Sequence, residues 1–425
     1  MKLLPYWQDS APSFYGAASG PVDGHFDVAV IGGGFTGLGA ARKLALEGKS
    51  VIVLEAARIG AGASGRNGGH LNNGLAHSNL AARQQFGADK ARALYQAFDA
   101  GIDTLERIIG EENITCNFRR SGKIKLASKP GHIDAMRRNF DAVNREVDPD
   151  TEWLDRNALG HEVVSDAFHA GVLQHRSAMM HMGRFVIGLA EAAVRRGAVV
   201  HQEAPVTSHQ RLRSGWQLQT PKGRVTAGQV MLATGAYTDK AFPWFRRRIV
   251  PVGSFIIATR PLSDAEIAGS LPGDRTFVNS MNIGNYFRMT PDRRLIWGGR
   301  ARFSARSDQG SDSKSGAVLQ RSLAATFPQL ANVEIEYCWG GLVDMTADRF
   351  PRAGMADGMW YSMGYSGHGA QIATHMGEIM ADRILGRERI NPWQGLPWQA
   401  VPLHTGKPWF LPLVGMYYQM KDKLT

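Results

Sequence analysis

The sequence predicts an α/β fold of two lobes, and three stretches of its 425 residues carry that prediction. Over residues 27–38 an apolar strand runs into the turn Gly32-x-Gly34-x-x-Gly37, and an alanine-rich helix follows to about Glu47. Over residues 230–238 a second apolar strand ends in Ala233-Thr234-Gly235. The pattern then turns β-rich to about residue 337, as in a second sheet, before a glycine-rich run at 363–370 opens one more helix.

The first stretch has a physical cause for its spacing. Gly32 permits a tight turn, Gly34 lets backbone amides approach a pyrophosphate without a Cβ in the way, and Gly37 lets helix and strand pack closely. Phosphates then sit on the helix N-terminus, where Phe35 and Thr36 open the helix. A second strand, residues 50–54, ends at Glu55, roughly 20 residues past the glycines, where a carboxylate accepts hydrogen bonds from a ribose diol. A lone G-x-G-x-x-G occurs in many loops, but strand, helix and acid in register make this a dinucleotide-binding unit. After Glu55 the run from Ala56 to His70 is too rich in small residues for a normal next helix and suits a chain lying along an extended cofactor. Nicotinamide and flavin are both open at this point.

Length and a 44% apolar composition allow two lobes with a large core. There is no run of 18 or more apolar residues, so no membrane span is expected, and residues 1–9 lack the apolar core of a secretory signal. The two cysteines, Cys116 and Cys338, lie far apart without metal spacing. No disulfide and no metal site are expected, and a reducing, cytoplasmic location fits. The formal charge of +11 attracts anions. Its basic residues are scattered, the densest run being Arg246-Arg247-Arg248, which favours a solvated basic face suited to a diphosphate cofactor and acidic substrates over nucleic-acid binding.

In chain order, residues 1–24 read as an arm packed on the surface. Residues 25–110 form the first part of the cofactor lobe, ending in an amphipathic helix over about 88–110 whose apolar stripe is core. Residues 111–164 begin the second lobe, with strand-like segments around Cys116, Phe118, Ile124 and Leu126 and a turn at Arg119-Arg120-Ser121-Gly122 between two of them. Residues 165–240 return to the cofactor lobe through strand 171–173, helix 183–196, strand 198–201 and a hairpin over 211–225. Residues 241–337 are the second lobe's main part: strands at 250–259, 286–289 and 294–299, with a Pro291-Asp292 turn, then a helix over about 311–327. Residues 338–386 complete the cofactor lobe with a helix over about 370–385, and 387–425 form a tail.

The glycine turn ending in Glu55, the run Gly62-Ala63-Ser64-Gly65-Arg66-Asn67-Gly68-Gly69, the Ala233-Thr234-Gly235 strand end and Tyr365-Ser366-Gly367-His368-Gly369 together resemble the FAD-dependent amine and amino-acid oxidases of the D-amino-acid oxidase superfamily. The resemblance implies a two-lobed FAD-dependent oxidoreductase with a Rossmann-like FAD-binding domain and a mixed-sheet substrate domain. It places FAD along Gly32, Gly34, Phe35, Thr36, Gly37, Glu55, Ala56, Ala63, Ser64, Arg66, Asn67, Gly68 and Gly69, then Val206 by the adenine, Ala233, Thr234, Gly235, Gly341, Gly364, Gly367, His368 and Gly369. The free amides of the helix that follows suit a ring edge where negative charge accumulates on reduction. Sarcosine oxidases of the superfamily attach FAD through a cysteine in this region, but theirs would fall nearer Gly340 than Cys338, so FAD is expected to be non-covalent.

The implied activity is oxidation of a primary or secondary amine of the γ-glutamylputrescine kind. Hydride passes to the flavin, the imine hydrolyses to aldehyde and ammonia, and molecular oxygen is the acceptor, giving hydrogen peroxide. Two residues are the candidates for catalytic roles. Arg288, on a strand of the covering lobe, offers a fixed cation over the flavin for substrate or oxygen, or else a surface ion pair. His70, at the end of the glycine-rich run, faces the ring or satisfies a local hydrogen bond. The rival readings are an oxidase of a cyclic or N-alkyl amino acid, a dehydrogenase serving a quinone or protein acceptor, and a flavin domain acting on modified tRNA. The last expects a fused methyltransferase domain that the chain lacks. Oligomeric state is not legible.

Overall fold

Strand His25–Ile31 is apolar on both sides, and its last four residues are buried, as is all of Val51–Leu54. Such strands need cover on both faces, which parallel pairing with crossover helices supplies. In a computed structural model that describes residues 1–304, 309–310 and 313–424, His25–Ile31 pairs in parallel with Val51–Leu54 on one side and with Gly223–Leu232 on the other. The eight-stranded sheet runs Arg352–Ala356, Met359–Met363, Gly223–Leu232, His25–Ile31, Val51–Leu54, Val199–His201, with Gly215–Thr220 and Ser208–Leu212 added beside Gly223–Leu232. Helices Phe35–Leu46, Met182–Arg195, Ala88–Glu112 and Gly369–Ile384 pack against one another, and their apolar faces share a core with Val28, Val30, Val51 and Val53.

A second eight-stranded sheet forms the other lobe: Ile335–Met345, Val250–Pro261, Arg294–Arg302, Tyr286–Met289, Thr276–Asn279, Lys123–Leu126, Gly171–Gln174, Glu152–Leu154. It is antiparallel except where Thr276–Asn279 meets Lys123–Leu126, so the sheet is mixed. One face buries Phe277, Phe287 and Trp297, stacked ring on ring, beneath helix Ser313–Thr326. The expected helix began at about 311; residues 311 and 312 lie outside the described residues.

The lobe boundaries differ from the sequence reading at two places. Gly171–Gln174 does not return the chain to the cofactor sheet. It pairs antiparallel with Lys123–Leu126, and its alternating burial is that of an antiparallel strand with one covered face. Return comes with Met182–Arg195 and Val199–His201. Likewise Ile335–Met345 is one unbroken strand of the second sheet, so residues 338–345 belong there, and the chain re-enters the first sheet at Arg352–Ala356.

Two local expectations also change. Only Lys123–Leu126 forms a strand in the 113–127 region. Arg119 pairs through its backbone with Met179, so residues 119–122 do not join two strands of one hairpin. The arm is more than a surface layer. Tyr6 and Trp7 are buried, Trp7 Nε1 donates to Asn67 O at 2.6 Å, and Gln8 Nε2 donates to Gly60 O at 2.8 Å. The arm therefore anchors the glycine-rich run from behind. Among the described residues no helix is long and apolar enough to cross a membrane.

Candidate active site

A cavity of about 480 Å³ runs between the two sheets. Its cofactor-lobe wall comes chiefly from five separated segments, within residues 32–36, 54–68, 205–206, 233–237 and 367–371. Its other wall comes from the second sheet, through Ser254, Ile256, Val278, Tyr286 and Gly341–Asp344 (residues 341–344).

The glycine turn presents a helix N-terminus to this cavity. Gly34 is the N-cap of Phe35–Leu46 and offers no capping side chain, so the first-turn amides beyond Phe35, whose own N–H goes to Ser64 Oγ, are left for a ligand. A Cβ on Gly34 would lie 2.9 Å from Ser64 Oγ, which itself accepts the Phe35 N–H at 3.0 Å. Glu55 stands at the end of its strand with its carboxylate accepting N–H groups of Gly33 at 2.7 Å and Ala57 at 2.9 Å. Arg66 and Asn67 brace the run that follows. Arg66 Nε donates to Ala61 O at 2.6 Å and Nη1 to Gly340 O at 2.8 Å; Asn67 Nδ2 donates to Ser64 O at 3.1 Å while its Oδ1 accepts Gly69 N–H at 3.0 Å. Burial pulls the Arg66 guanidinium below its usual range.

At the far side a second uncapped helix N-terminus enters the cavity. His368 is the N-cap of Gly369–Ile384 without a capping side-chain bond, and Gly367, His368, Gly369 and Ala370 line the wall. Asp344 holds the loop in front of it, accepting Gly364 N–H at 2.6 Å, and Ser366 N–H bonds Asp344 O at 3.1 Å. Burial pushes the Asp344 carboxyl up to about 6 against those backbone bonds. Tyr365 Oη ties this loop to the glycine turn, 2.8 Å from Thr36 Oγ1 and 2.7 Å from Ser362 Oγ. Two helix N-termini thus open onto one cavity, which fits a long anionic cofactor with a ring that gains negative charge.

Most expected cofactor residues line the cavity: Gly32, Gly34, Phe35, Thr36, Glu55, Ala56, Ala63, Ser64, Arg66, Asn67, Gly68, Val206, Ala233, Thr234, Gly235, Gly341, Gly367, His368 and Gly369. Gly37, Gly69 and Gly364 do not. Gly37 sits where helix meets strand, and a Cβ there would overlap Gly32 O. Gly69 has φ +79, and a Cβ would lie 2.5 Å from Arg288 Nη2; Gly364 also has φ +79. These three shape the wall without forming it.

His70 lines the cavity and Arg288 does not. The expectation of an exposed cation over the flavin is therefore corrected. Arg288 is buried behind the Gly68-Gly69 turn, where Nε donates to Gly68 O at 3.1 Å and Nη2 to Met180 O at 2.9 Å, with the Trp7 ring 5.2 Å away. Burial, and then Arg119, lower it to about 9. Strand alternation does put Arg288 on the same side as Tyr286, but the glycine turn lies between it and the cavity. His70 Nε2 lies 3.2 Å from Phe287 O, so the proton sits on Nε2 and Nδ1 carries the lone pair; that Nδ1 has no partner among the described residues. Burial first, and Arg288 second, depress His70 to about 3.

The residues that sequence reasoning missed come chiefly from the second sheet: Ser254, Ile256, Val278 and Tyr286, with Asp344, Asn72 and Gln371. Period-two alternation was a usable signal, since Ser254 and Ile256 face the cavity while Phe255 and Ile257 enter the opposite core. Neither Cys116 nor Cys338 lines the cavity; both are buried elsewhere. No cluster able to hold a metal occurs among the described residues.

Burial also sets an acid limit. His70 and His375 are depressed to about 3 and His181 and His368 to about 4, each chiefly by burial, whereas burial raises Asp99 and Asp344 to about 6. Below pH 6 the unfolded chain binds a proton at each histidine and the folded chain at each of these two acids. Depressed histidines give stability present above about 6.5 and lost as pH falls; the raised acids act the opposite way. Four histidines against two acids leave the excess of protons on the unfolded chain, so stability is lost as pH falls from about 6 to 4. The urea midpoint of the FAD-free protein is expected to fall across that window; a flat profile contradicts the neutral histidines.

The fold and the cavity define a two-lobed dinucleotide-binding protein whose cavity is closed on one side by a mixed sheet. Residues 27–383 match the family described as FAD dependent oxidoreductase, and the chain belongs to it. It is 35% identical over 405 residues to the gamma-glutamylputrescine oxidoreductase of Escherichia coli (strain K12), covering 94% of this chain and 93% of that protein. It is 34% identical over 385 residues to a probable oxidoreductase OrdL of Haemophilus influenzae, covering 88% and 86%. Among solved structures, glycine oxidase from Geobacillus kaustophilus superposes with a TM-score of 0.73 at 21% identity, over 89% of this chain and 99% of that one. The protein is an FAD-dependent oxidoreductase enzyme.

Proposed function

We propose that the enzyme oxidises an amine of the γ-glutamylputrescine kind to its imine, holds FAD without a covalent bond, and passes the electrons to oxygen. The carrying observation is the substrate-side wall. Ser254, Ile256, Val278, Tyr286 and His70 are uncharged, and the cations that line the cavity among the described residues, Arg58 and Arg66, both belong to the run after Glu55. An α-amino acid needs a cation for the carboxylate beside its reacting carbon, and Arg288 is turned away. An amine at the end of a carbon chain does not. The named relative from Escherichia coli supports the same substrate class.

Bound FAD supplies the acceptor for two electrons and a hydrogen from the amine carbon. The chain's residues do the rest. The apolar wall of Ile256, Val278 and Tyr286 excludes water, which favours the neutral amine that can react. The His70 ring, held by Phe287 O, shapes the wall against which the substrate is positioned. The amides at the start of Gly369–Ile384 stabilise charge gained by the ring. Its N-terminal turn does so without a titrating side chain, since His368 is depressed to about 4 by burial.

The test is anaerobic bleaching and aerobic peroxide release with γ-glutamylputrescine, putrescine, sarcosine, proline and glycine. The γ-glutamyl amine is expected to win by roughly a hundredfold in kcat/KM, the value of one well-placed charge or hydrogen-bond set. Preference for glycine, sarcosine or proline defeats the amine assignment, and bleaching without peroxide defeats the oxygen assignment. Acid precipitation is expected to leave all flavin in the supernatant.

A further inference from the structure

The tail helix Leu411–Leu424 is fixed in rotation by the contacts of one face. Leu411 and Gly415 are buried there, Arg349 Nη2 donates to Tyr418 Oη at 2.6 Å, and the Asp422 carboxylate accepts the N–H groups of Asn282 and Ile283, both at 2.8 Å. At about 100° per residue, the opposite face carries Leu413, Met416, Tyr417, Met420 and Leu424 within an arc of roughly 100°. All five are 55–79% exposed. Exposed apolar residues scattered singly are ordinary, but five in one stripe mark a contact surface.

Charge says what the surface meets. Lys421 and Lys423, both exposed, fall at the two edges of the stripe. Lys407 is exposed in the preceding loop, and Trp409 in the turn that leads into the helix is 52% exposed. Asp422 is the only acid in residues 390–425, and it is turned inward onto Asn282. An apolar stripe edged by lysines matches a helix lying in the headgroup layer, with side chains at the acyl boundary and ammonium groups at lipid phosphates. A second copy of the same face would set lysine edge against lysine edge. The chain's net charge of +11 acts in the same direction as the lysines.

We propose that this helix docks the enzyme, lying flat, on a membrane surface rich in anionic lipid. The inference is independent of the substrate assignment. It is tested by floating the FAD-loaded protein with vesicles of phosphatidylglycerol and phosphatidylcholine, and with phosphatidylcholine alone. Binding is expected on the anionic vesicles, weakened by high salt and roughly tenfold or more weaker for K421Q/K423Q. M416E/M420E is expected to abolish it while FAD content and turnover in solution stay unchanged. Should M416E/M420E fail to fold, the lysine pair alone decides. Absence of binding, or equal binding to both vesicle types, overturns the proposal. So does a soluble dimer that M416E/M420E splits, which assigns the stripe to a second copy.

Discussion

Replacing Gly37 by valine is expected to yield a colourless protein. The Cβ at this position would overlap Gly32 O and come within 3.1 Å of Val30 Cγ1, so the first turn of Phe35–Leu46 must lift from the strand it follows. Backbone cannot yield as a flexible side chain does. Overpacking costs about 1–3 kcal/mol, and more where backbone must move, and the displaced first-turn amides no longer point at one phosphate position. At least a hundredfold loss of FAD affinity is expected, about 2.7 kcal/mol. Flavin absorbance per polypeptide after desalting is the measurement. Gly110, where a Cβ meets open space inside a helix, is the control, because Gly110→Ala is expected to retain full flavin. A fully yellow Gly37→Val protein would falsify the role of the close contact.

Removal of the His70 imidazole is the second large effect. Its Nε2 proton is committed to Phe287 O, and the ring forms part of the cavity wall with Nδ1 enclosed. His70→Ala is expected to lower kcat/KM by about 10- to 100-fold, or about 1.4–2.7 kcal/mol, the range for losing a hydrogen bond in a site shielded from water. His70→Asn keeps a short polar side chain and should recover part of the loss. Because His70 is depressed to about 3, it stays neutral through the working range. An acid limb in kcat/KM above pH 5 then belongs to the substrate ammonium or to Asp344, raised to about 6 on the cavity wall, and is expected to persist in His70→Ala. Unaltered kinetics in His70→Ala would reduce the residue to a packing element.

The contrast between these two residues and Arg288 shows where sequence reading succeeds. Gly37 is legible because its constraint is local: strand, turn and helix are contiguous, and the close contact lies within one supersecondary unit. His70 was singled out by the family resemblance at the end of the glycine-rich run, and the structure puts it on the cavity wall. Arg288 needed depth as well as face. Its expectation rested on the strand and the family resemblance, whereas the Gly68-Gly69 turn that covers it comes from residues more than 200 positions earlier. Strand membership failed for the same reason, since nothing within residues 171–174 reveals that their partner is Lys123–Leu126. Asp344 was hidden inside a strand whose two ends serve different jobs, one in the second core and one at the cavity. Trp7, buried and bonded to Asn67 O, had no periodic pattern to announce it.

The order in which the first sheet is threaded has a consequence for the chain on the ribosome. His25–Ile31 needs Gly223–Leu232 on one flank, and that strand in turn needs Met359–Met363. With translation at about 5–20 residues per second, the earlier strand waits roughly 10–40 s for its neighbour, with one hydrogen-bonding edge open throughout. Synthesis of this enzyme is therefore a period of exposure that chaperones have to cover, and a fragment ending before residue 223 is a sheet without its middle partner.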